Sequence, residues 1–334
     1  MTAVVTDADQ LGTSDFIASI PAFLGYIPDD RMILMFNRNG KIGMVYEAEF
    51  DQPHTSFAER IAAIAARERM RSVRIVLVCD FRRAYRGAMS FADTVGEHLD
   101  RAGIAVAARA HTTELRRGGS WTDLDHQTSG AIPDPAETWA AVCAVADGHI
   151  ILSGRDDSRA RFAQLPEPDD ATRARAALES AHPSFYRTTL RELCRHITAD
   201  TIPRPDVAAR VALLTANDSA RHALIGVALL DLPAAAQLYT ALAAHLRGIE
   251  RAHLLAAAAL IYYITGQGIV SYDAITQATA AARADRTKRF PSLIHFVSTA
   301  HERAITIEDA TILLANGQLH AAKFGIDVPD PTDH

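Results

Sequence analysis

The sequence has few of the residues from which metal and redox sites are built. Its three cysteines, Cys79, Cys143 and Cys194, are far apart and form no Cys-x-x-Cys pair. Because a structural zinc site draws its ligands from such closely spaced pairs, we expect no structural zinc. No stretch matches a metal or nucleotide fingerprint either, so we expect no cofactor. Unpaired thiols are common in protein cores, and Cys79 closes an apolar run, so we expect it to be buried in a sheet.

Long apolar runs and targeting segments are missing as well. The longest apolar run, residues 254–264, is shorter than the roughly 20 residues that a membrane-spanning helix needs. Residues 1–10 have neither the basic start nor the apolar core of a secretory signal peptide. These absences predict a cytoplasmic protein with no membrane partner.

Positive charge is not in excess. The chain holds 34 Lys and Arg against 40 Asp and Glu, which gives a formal net charge of -6. Nucleic-acid-binding domains usually have a basic balance, so we expect no nucleic-acid partner. The apolar fraction of 49% and the length of 334 residues are those of a globular chain long enough for two domains.

The hydrophobic pattern changes near residue 150. Before it, short runs alternate between apolar and polar residues; after it, apolar residues recur at helical spacing. We therefore predict an α/β (or α+β) domain with a mixed sheet and packed helices over residues 11–150. A connection at 151–170 precedes an all-helical domain at 171–322.

The front domain contains a clear hairpin signal. Asn39-Gly40 favours a type I′ turn because both residues accept positive φ. In the returning strand, alternation predicts Ile42, Met44, Tyr46, Ala48 and Phe50 on one face, with Glu47 and Glu49 on the other. Further strands are predicted at 73–79 and 104–110, and helices at 14–24, 57–65, 84–101 and 136–147, the first capped by Ser14.

The rear domain is predicted to be a succession of helices separated by proline and glycine breaks. Their expected spans are 171–181, 184–199, 204–216, 219–229, 233–247, 249–265, 270–284, 290–301 and 306–319. Residues 253–282 resemble one tetratricopeptide-like helical hairpin, and an ordinary hairpin fits them too. No second copy follows at that period, so the pattern does not establish a repeat array.

A candidate anion site follows the strand at 73–79. Asp80 comes directly after this strand, and Arg82, Arg83 and Arg86 stand where the next helix begins. Strand ends and helix N-termini favour ligands and anions, so these residues could bind an anionic small molecule. Alternatively, Asp80 only caps the helix and the arginines are solvated.

A second polar group follows the strand at 104–110. His111 closes that strand, and Asp123, Asp125 and His126 stand in the loop beyond it. Imidazoles and carboxylates can bind a metal or transfer protons, although no His-x-His or His-Glu-x-x-His spacing supports this. The alternative is that they have no such function, because Asp and His are common in loops.

The chain also resembles a known family. Residues 16–36, FIASIPAFLGYIPDDRMILMF, are similar to the opening signature of the actinobacterial family called domain of unknown function 4192. The Gly118-Gly119 turn before Trp121, the segment LSGRDD at 152–157 and the helical pair at 253–282 follow in matching order. The resemblance implies this order of elements. It implies no activity and no catalytic residue.

Three hypotheses for function remain. The leading one is a non-enzymatic interaction or regulatory protein whose helical domain binds a protein partner in a groove. The second is a sensor of small molecules or nucleotides, with its anion site near Asp80 and His111. The third is a metal-assisted hydrolase using Glu47, Asp80, His111 and Asp125.

Overall fold

The structure is a computed structural model that describes residues 12–80, 85–285, 290–303 and 305–330. These residues divide into two compact units between Asp157 and Ser158. The front unit contains the sheet, and the rear unit is helical in the residues that are described. The predicted fold class, a mixed-sheet domain followed by an all-helical one, is confirmed.

The front unit is built on a six-stranded sheet. Its strands are β1 (Arg31–Arg38), β2 (Lys41–Glu49), β3 (Ser72–Val78), β4 (Ala105–Thr112), β5 (Ser120–Asp123) and β6 (Ser129–Ala131). Their order across the sheet is β2-β1-β3-β4-β5-β6, and β3 with β4 is the parallel pair. The other neighbours are antiparallel. β6 was not predicted, because Ser-Gly-Ala offers no apolar alternation.

Helices cover the two faces of this sheet. They are α1 (Thr13–Leu24), α2 (His54–Arg67), α3 (Tyr85–Arg101) and α4 (Trp139–Ala146), with a 3-10 turn at Pro135–Glu137 before α4. One face packs Leu34 and Ile75 against Phe57 of α2 and Phe91 of α3. On the other face, Phe16 of α1 lies 4.5 Å below the Arg74 guanidinium, a cation–π contact.

The predicted hairpin is present, with a correction to its register. Asn39 and Gly40 form its tip with φ of 58° and 80°, as a type I′ turn requires. A bulge follows, since Phe36 pairs with Met44 whereas Asn37 pairs with Ile42. The prediction that Ile42 shares the face of Met44 was therefore wrong, because the bulge moves one residue out of alternation.

The helix cap predicted at Ser14 is also wrong. α1 begins one residue earlier, and Gly12 occupies the cap position. The Ser14 hydroxyl instead accepts a hydrogen bond of 2.9 Å from the indole Nε1 of Trp121, in β5. This side-chain contact between distant parts of the chain could not be read from local sequence.

The rear unit follows the predicted helices closely. They are α6 (Asp170–Ser180), α7 (Phe185–Thr198), α8 (Pro205–Ala216), α9 (Asp218–Val227), α10 (Leu232–Ala244), α11 (Gly248–Ile264), α12 (Gly268–Ala284), α13 (Ser292–Arg303) and α14 (Ile307–Lys323). Between 200 and 320, the described residues contain no strand. α11 is almost wholly buried and packs against α10 and α12.

The segment predicted as a connection has structure of its own. A short helix, α5 (Arg155–Ala160), spans the point where the two units divide. Beyond it, the chain is fixed to the rear unit by Arg251 of α11, which is fully buried. Its guanidinium donates to the backbone oxygens of Phe162 and, at 2.6 Å, Ala243, which satisfies donors that burial would otherwise leave unpaired.

Candidate functional site

The predicted anion site is partly described. Asp80 is exposed just after β3, and Arg86 is exposed in the first turn of α3. Arg82 and Arg83 lie outside the described residues. The predicted binding of an anion here therefore stays a prediction.

His111 is built into the sheet. The side chain is buried, and its ring Nε2 donates to the carbonyl oxygen of Cys79 at 2.9 Å. The ring of Tyr85 meets the imidazole edge-on with centroids 5.2 Å apart. Cys79 is fully buried, as predicted, and burial raises the pKa of its thiol to about 11. These contacts give His111 a structural role in joining β4 to the end of β3.

The loop after β5 is held by its own hydrogen bonds. The Asp123 carboxylate accepts from the backbone N–H groups of Asp125 and His126 at 2.8 and 2.7 Å. Burial opposes its charge, but these bonds together outweigh burial and lower the pKa of Asp123. The Asp125 carboxylate is paired with the guanidinium of Arg109 in β4, which also contacts Asp93 of α3. The loop thus forms an ion-pair network on the surface.

The four residues of the hydrolase hypothesis are not brought together. Glu47 aligns across the sheet with Ile33 and Val76, whereas His111 aligns with Leu77. Val76 and Leu77 are consecutive, so Glu47 and His111 lie on opposite faces of the sheet. In the part of the chain that the structure describes, no group of three or more His, Cys, Asp or Glu side chains is arranged to hold a metal.

Glu47 belongs to a different cluster of charges. Its carboxylate lies 3.4 Å from the guanidinium of Arg155 and 4.0 Å from that of Arg31, and all three side chains are largely buried. Arg31 also contacts Glu49 at 2.8 Å. The Arg155 guanidinium stacks over the ring of Tyr26 at 5.3 Å. We call these residues the Glu47 cluster.

The cluster joins separate sequence motifs. Tyr26 and Arg31 come from the opening signature, Arg155 from the LSGRDD segment, and Tyr26 forms a parallel bridge with Leu152. Tyr26 is fully buried, and its hydroxyl has no hydrogen-bond partner among the described residues. The cluster was not predicted from the sequence. The available signal was an arginine in each of the two motifs, and a carboxylate, Glu47, on the polar face of the predicted hairpin.

The least expected feature of the front unit is the face that α4 exposes. Three small residues of this helix, Ala140, Ala141 and Ala144, are buried. The large ones face outward, with exposures of 68% for Trp139, 49% for Val142 and 62% for Val145. A soluble helix normally buries its large apolar side chains, so α4 is inverted in this respect.

An apolar residue and two acidic residues are exposed in the segments that flank α4. Ile150 is exposed four residues after the helix ends. Glu137 and Asp147 are exposed on either side of the helix, and residues 132–149 contain no Lys or Arg. The sequence predicts the helix but not this face, because both faces of the helix are apolar and only the fold decides which one is covered. The spacing Trp-x-x-Val-x-x-Val was the available signal.

Together these features define a two-unit protein with a mixed-sheet front unit, an all-helical rear unit and an exposed apolar face on α4. The chain belongs to the family described as Domain of unknown function (DUF4192), which matches residues 14–295. A search of curated proteins found no match, and a search of solved structures found none either. Among the described residues, no helix is both long enough and apolar enough to cross a membrane.

Proposed function

We propose that this protein is a non-enzymatic interaction protein and that the exposed α4 face binds an amphipathic helix of another protein. The observation that carries the proposal is the inversion of α4, which buries alanines and exposes Trp139, Val142 and Val145. Three large apolar side chains exposed on one side of a short helix favour an interaction site, because large exposed apolar patches mark such sites.

The chemistry of the face specifies the partner. Trp139, Val142 and Val145 recur every three residues, and a partner helix presents apolar side chains at similar intervals. Tryptophan is among the residues that contribute most to binding at the centre of interfaces. Residues 132–149 contain no Lys or Arg to pair with Glu137 and Asp147, so these carboxylates favour Lys or Arg beside the apolar stripe of the partner.

The state of the predicted catalytic residues supports a role without catalysis. His111 is bonded to the Cys79 carbonyl, Asp125 is paired with Arg109, and Glu47 is paired with arginines.

The proposed docking surface lies on the front unit, whereas the sequence favoured one on the helical unit. The tetratricopeptide-like character of residues 253–282 remains a prediction. Free thiols at all three cysteines support the proposed cytoplasmic location.

Photocrosslinking in the native host tests the proposal. A photoreactive phenylalanine analogue is placed at Val142, and in a control protein at Glu97, which is exposed on α3 of the same unit. We expect irradiation to give a discrete adduct from position 142 that position 97 does not give. Mass spectrometry should map the adduct to a helix that has apolar residues every three or four positions flanked by Lys or Arg.

Three outcomes would contradict the proposal. They are the absence of an adduct from position 142, the same adducts from both positions, and adducts only between copies of this chain. An adduct that maps to an acidic or uncharged segment would refute the assignment of the partner.

A further inference from the structure

A second surface of opposite character lies on α7 of the rear unit. Arg187, Arg191 and Arg195 are spaced four residues apart and are exposed along one face of this helix. None of the three donates to, or pairs with, another residue that the structure describes. Elsewhere on α7, the Glu192 carboxylate is already paired at 2.7 Å with Arg210 of α8. The three guanidinium groups are therefore available to an acidic ligand.

A concavity of about 270 Å³ adjoins this stripe. Its lining residues are Arg191, Cys194, Arg195, Thr198, Leu230, Gly325, Ile326 and Asp327. Leu230 and Ile326 give it an apolar part. Burial raises the pKa of the Cys194 thiol to about 11, so this thiol is uncharged at neutral pH. Asp327 contributes one carboxylate, which the arginines outweigh.

We infer that the α7 groove, formed by Arg187 and these lining residues, binds an extended protein segment with acidic residues at alternate positions. Residues four apart on a helix rise about 6 Å, so the three arginines present positive charges at about 6 Å intervals. Alternate side chains of an extended strand are about 6.7 Å apart on one side, a close match over three positions. Leu230 and Ile326 then accept an apolar side chain that flanks the acidic ones.

Single-stranded nucleic acid also spaces its negative charges at several ångströms, but the groove suits it less. Such ligands are held largely by bases stacked on aromatic side chains. Among the described residues, those that line the concavity include no aromatic one. The inference concerns a surface and a partner different from those proposed for α4, and neither depends on the other.

Fluorescence anisotropy tests this inference with the full-length protein. The probe is a fluorescein-labelled peptide in which three Glu alternate with Ser and are followed by Leu. A control peptide has the same composition with its three Glu consecutive. We expect the alternating peptide to bind at least fivefold more tightly, because in the control the middle carboxylate points away from the groove.

Two triple variants distinguish the effect of losing the α7 arginines from the effect of losing positive charge in general. We expect Arg187→Gln, Arg191→Gln and Arg195→Gln together to weaken binding of the alternating peptide at least tenfold. Replacing three exposed arginines elsewhere in the rear unit removes the same charge and should change binding less than twofold; these are Arg175, Arg204 and Arg303. Circular dichroism of both variants checks that the helices remain. Equal losses in the two variants, equal binding of the two peptides, or tighter binding of oligouridylate than of the alternating peptide would overturn the inference.

Discussion

The crossing of α9 and α14 makes a sharp test of how the rear unit is packed. Gly226 of α9 meets Gly317 of α14 so closely that a Cβ added at Gly226 would lie 2.2 Å from the carbonyl oxygen of Gly317. Because such contacts need more than 3 Å, Gly226→Ala must push the helices about 1 Å apart, and overpacking of this kind costs about 1–3 kcal/mol. The obstructing atoms are backbone and cannot rotate away, so we take the upper end of that range.

The gain in helix propensity from glycine to alanine returns about 1 kcal/mol. The net loss is therefore about 2 kcal/mol, which lowers the melting temperature of a unit this size by about 4–8 °C. Both tryptophans, Trp121 and Trp139, lie in the front unit. Circular dichroism at 222 nm, dominated by the rear helices, is thus the assay for the transition.

Gly268→Ala is the matched control for this substitution. Gly268 is the first residue of α12, and a Cβ there meets no heavy atom within 4 Å. The control should keep or slightly raise the melting temperature. If Gly226→Ala melts at the wild-type temperature or above it, the close helix crossing is refuted.

Three further predictions concern individual side chains. Tyr26→Phe should leave stability unchanged or raise it in chemical denaturation, because it removes a buried hydroxyl without a partner; a loss above about 1 kcal/mol would show that the hydroxyl is bonded. Gly130→Ala should lower stability by about 1–3 kcal/mol and shift tryptophan emission, because its Cβ would lie 2.8 Å from Nε1 of Trp121; an unchanged spectrum and midpoint would contradict that packing. Burial lowers the pKa of His301, which lies 2.9 Å from the Ser271 hydroxyl, to about 4. The free energy of unfolding should therefore be unaffected by this histidine above about pH 6.5 and should fall by about 3 kcal/mol as the pH drops towards 4. The reason is that the histidine of the unfolded chain takes up a proton at a higher pH than His301 of the folded chain. His301→Gln should lose this part of the pH dependence, and parallel pH profiles for the two proteins would refute the shift.

The rear unit could be predicted almost helix by helix from the sequence. Breaks such as Pro203-Arg204-Pro205 and Gly266-Gln267-Gly268 separate helices through local backbone chemistry, so boundaries agree with the structure to within a few residues. α5 was missed because five of its six residues are polar and the segment is too short to show a period. The contact of Gly226 with Gly317 was beyond prediction, because it depends on two helices that are far apart in sequence.

In the front unit, the sequence predicted the elements better than their contacts. The nearly continuous apolar run of β3 correctly indicated a central buried strand. The bulge at Gly43 and the bond from Trp121 to Ser14 arise from tertiary packing, which local alternation does not encode.

The candidate surfaces were harder to predict for a related reason. The spacing of Arg187, Arg191 and Arg195 was visible, but whether these arginines are paired depends on their neighbours in the fold. For α4 the sequence shows an apolar helix, and burial of its alanines reveals the exposed Trp139.

The central claim is that a basic amphipathic helix covers the exposed α4 face. Titration calorimetry with the partner helix that photocrosslinking identifies tests this claim most directly. Val142→Asp places a charge in the middle of this face, whereas Leu178→Asp places one on an exposed position of α6. We expect Val142→Asp to weaken binding at least 30-fold, as for a central interface residue that contributes about 2 kcal/mol, and Leu178→Asp to bind as the wild type does. Wild-type affinity for Val142→Asp would contradict it.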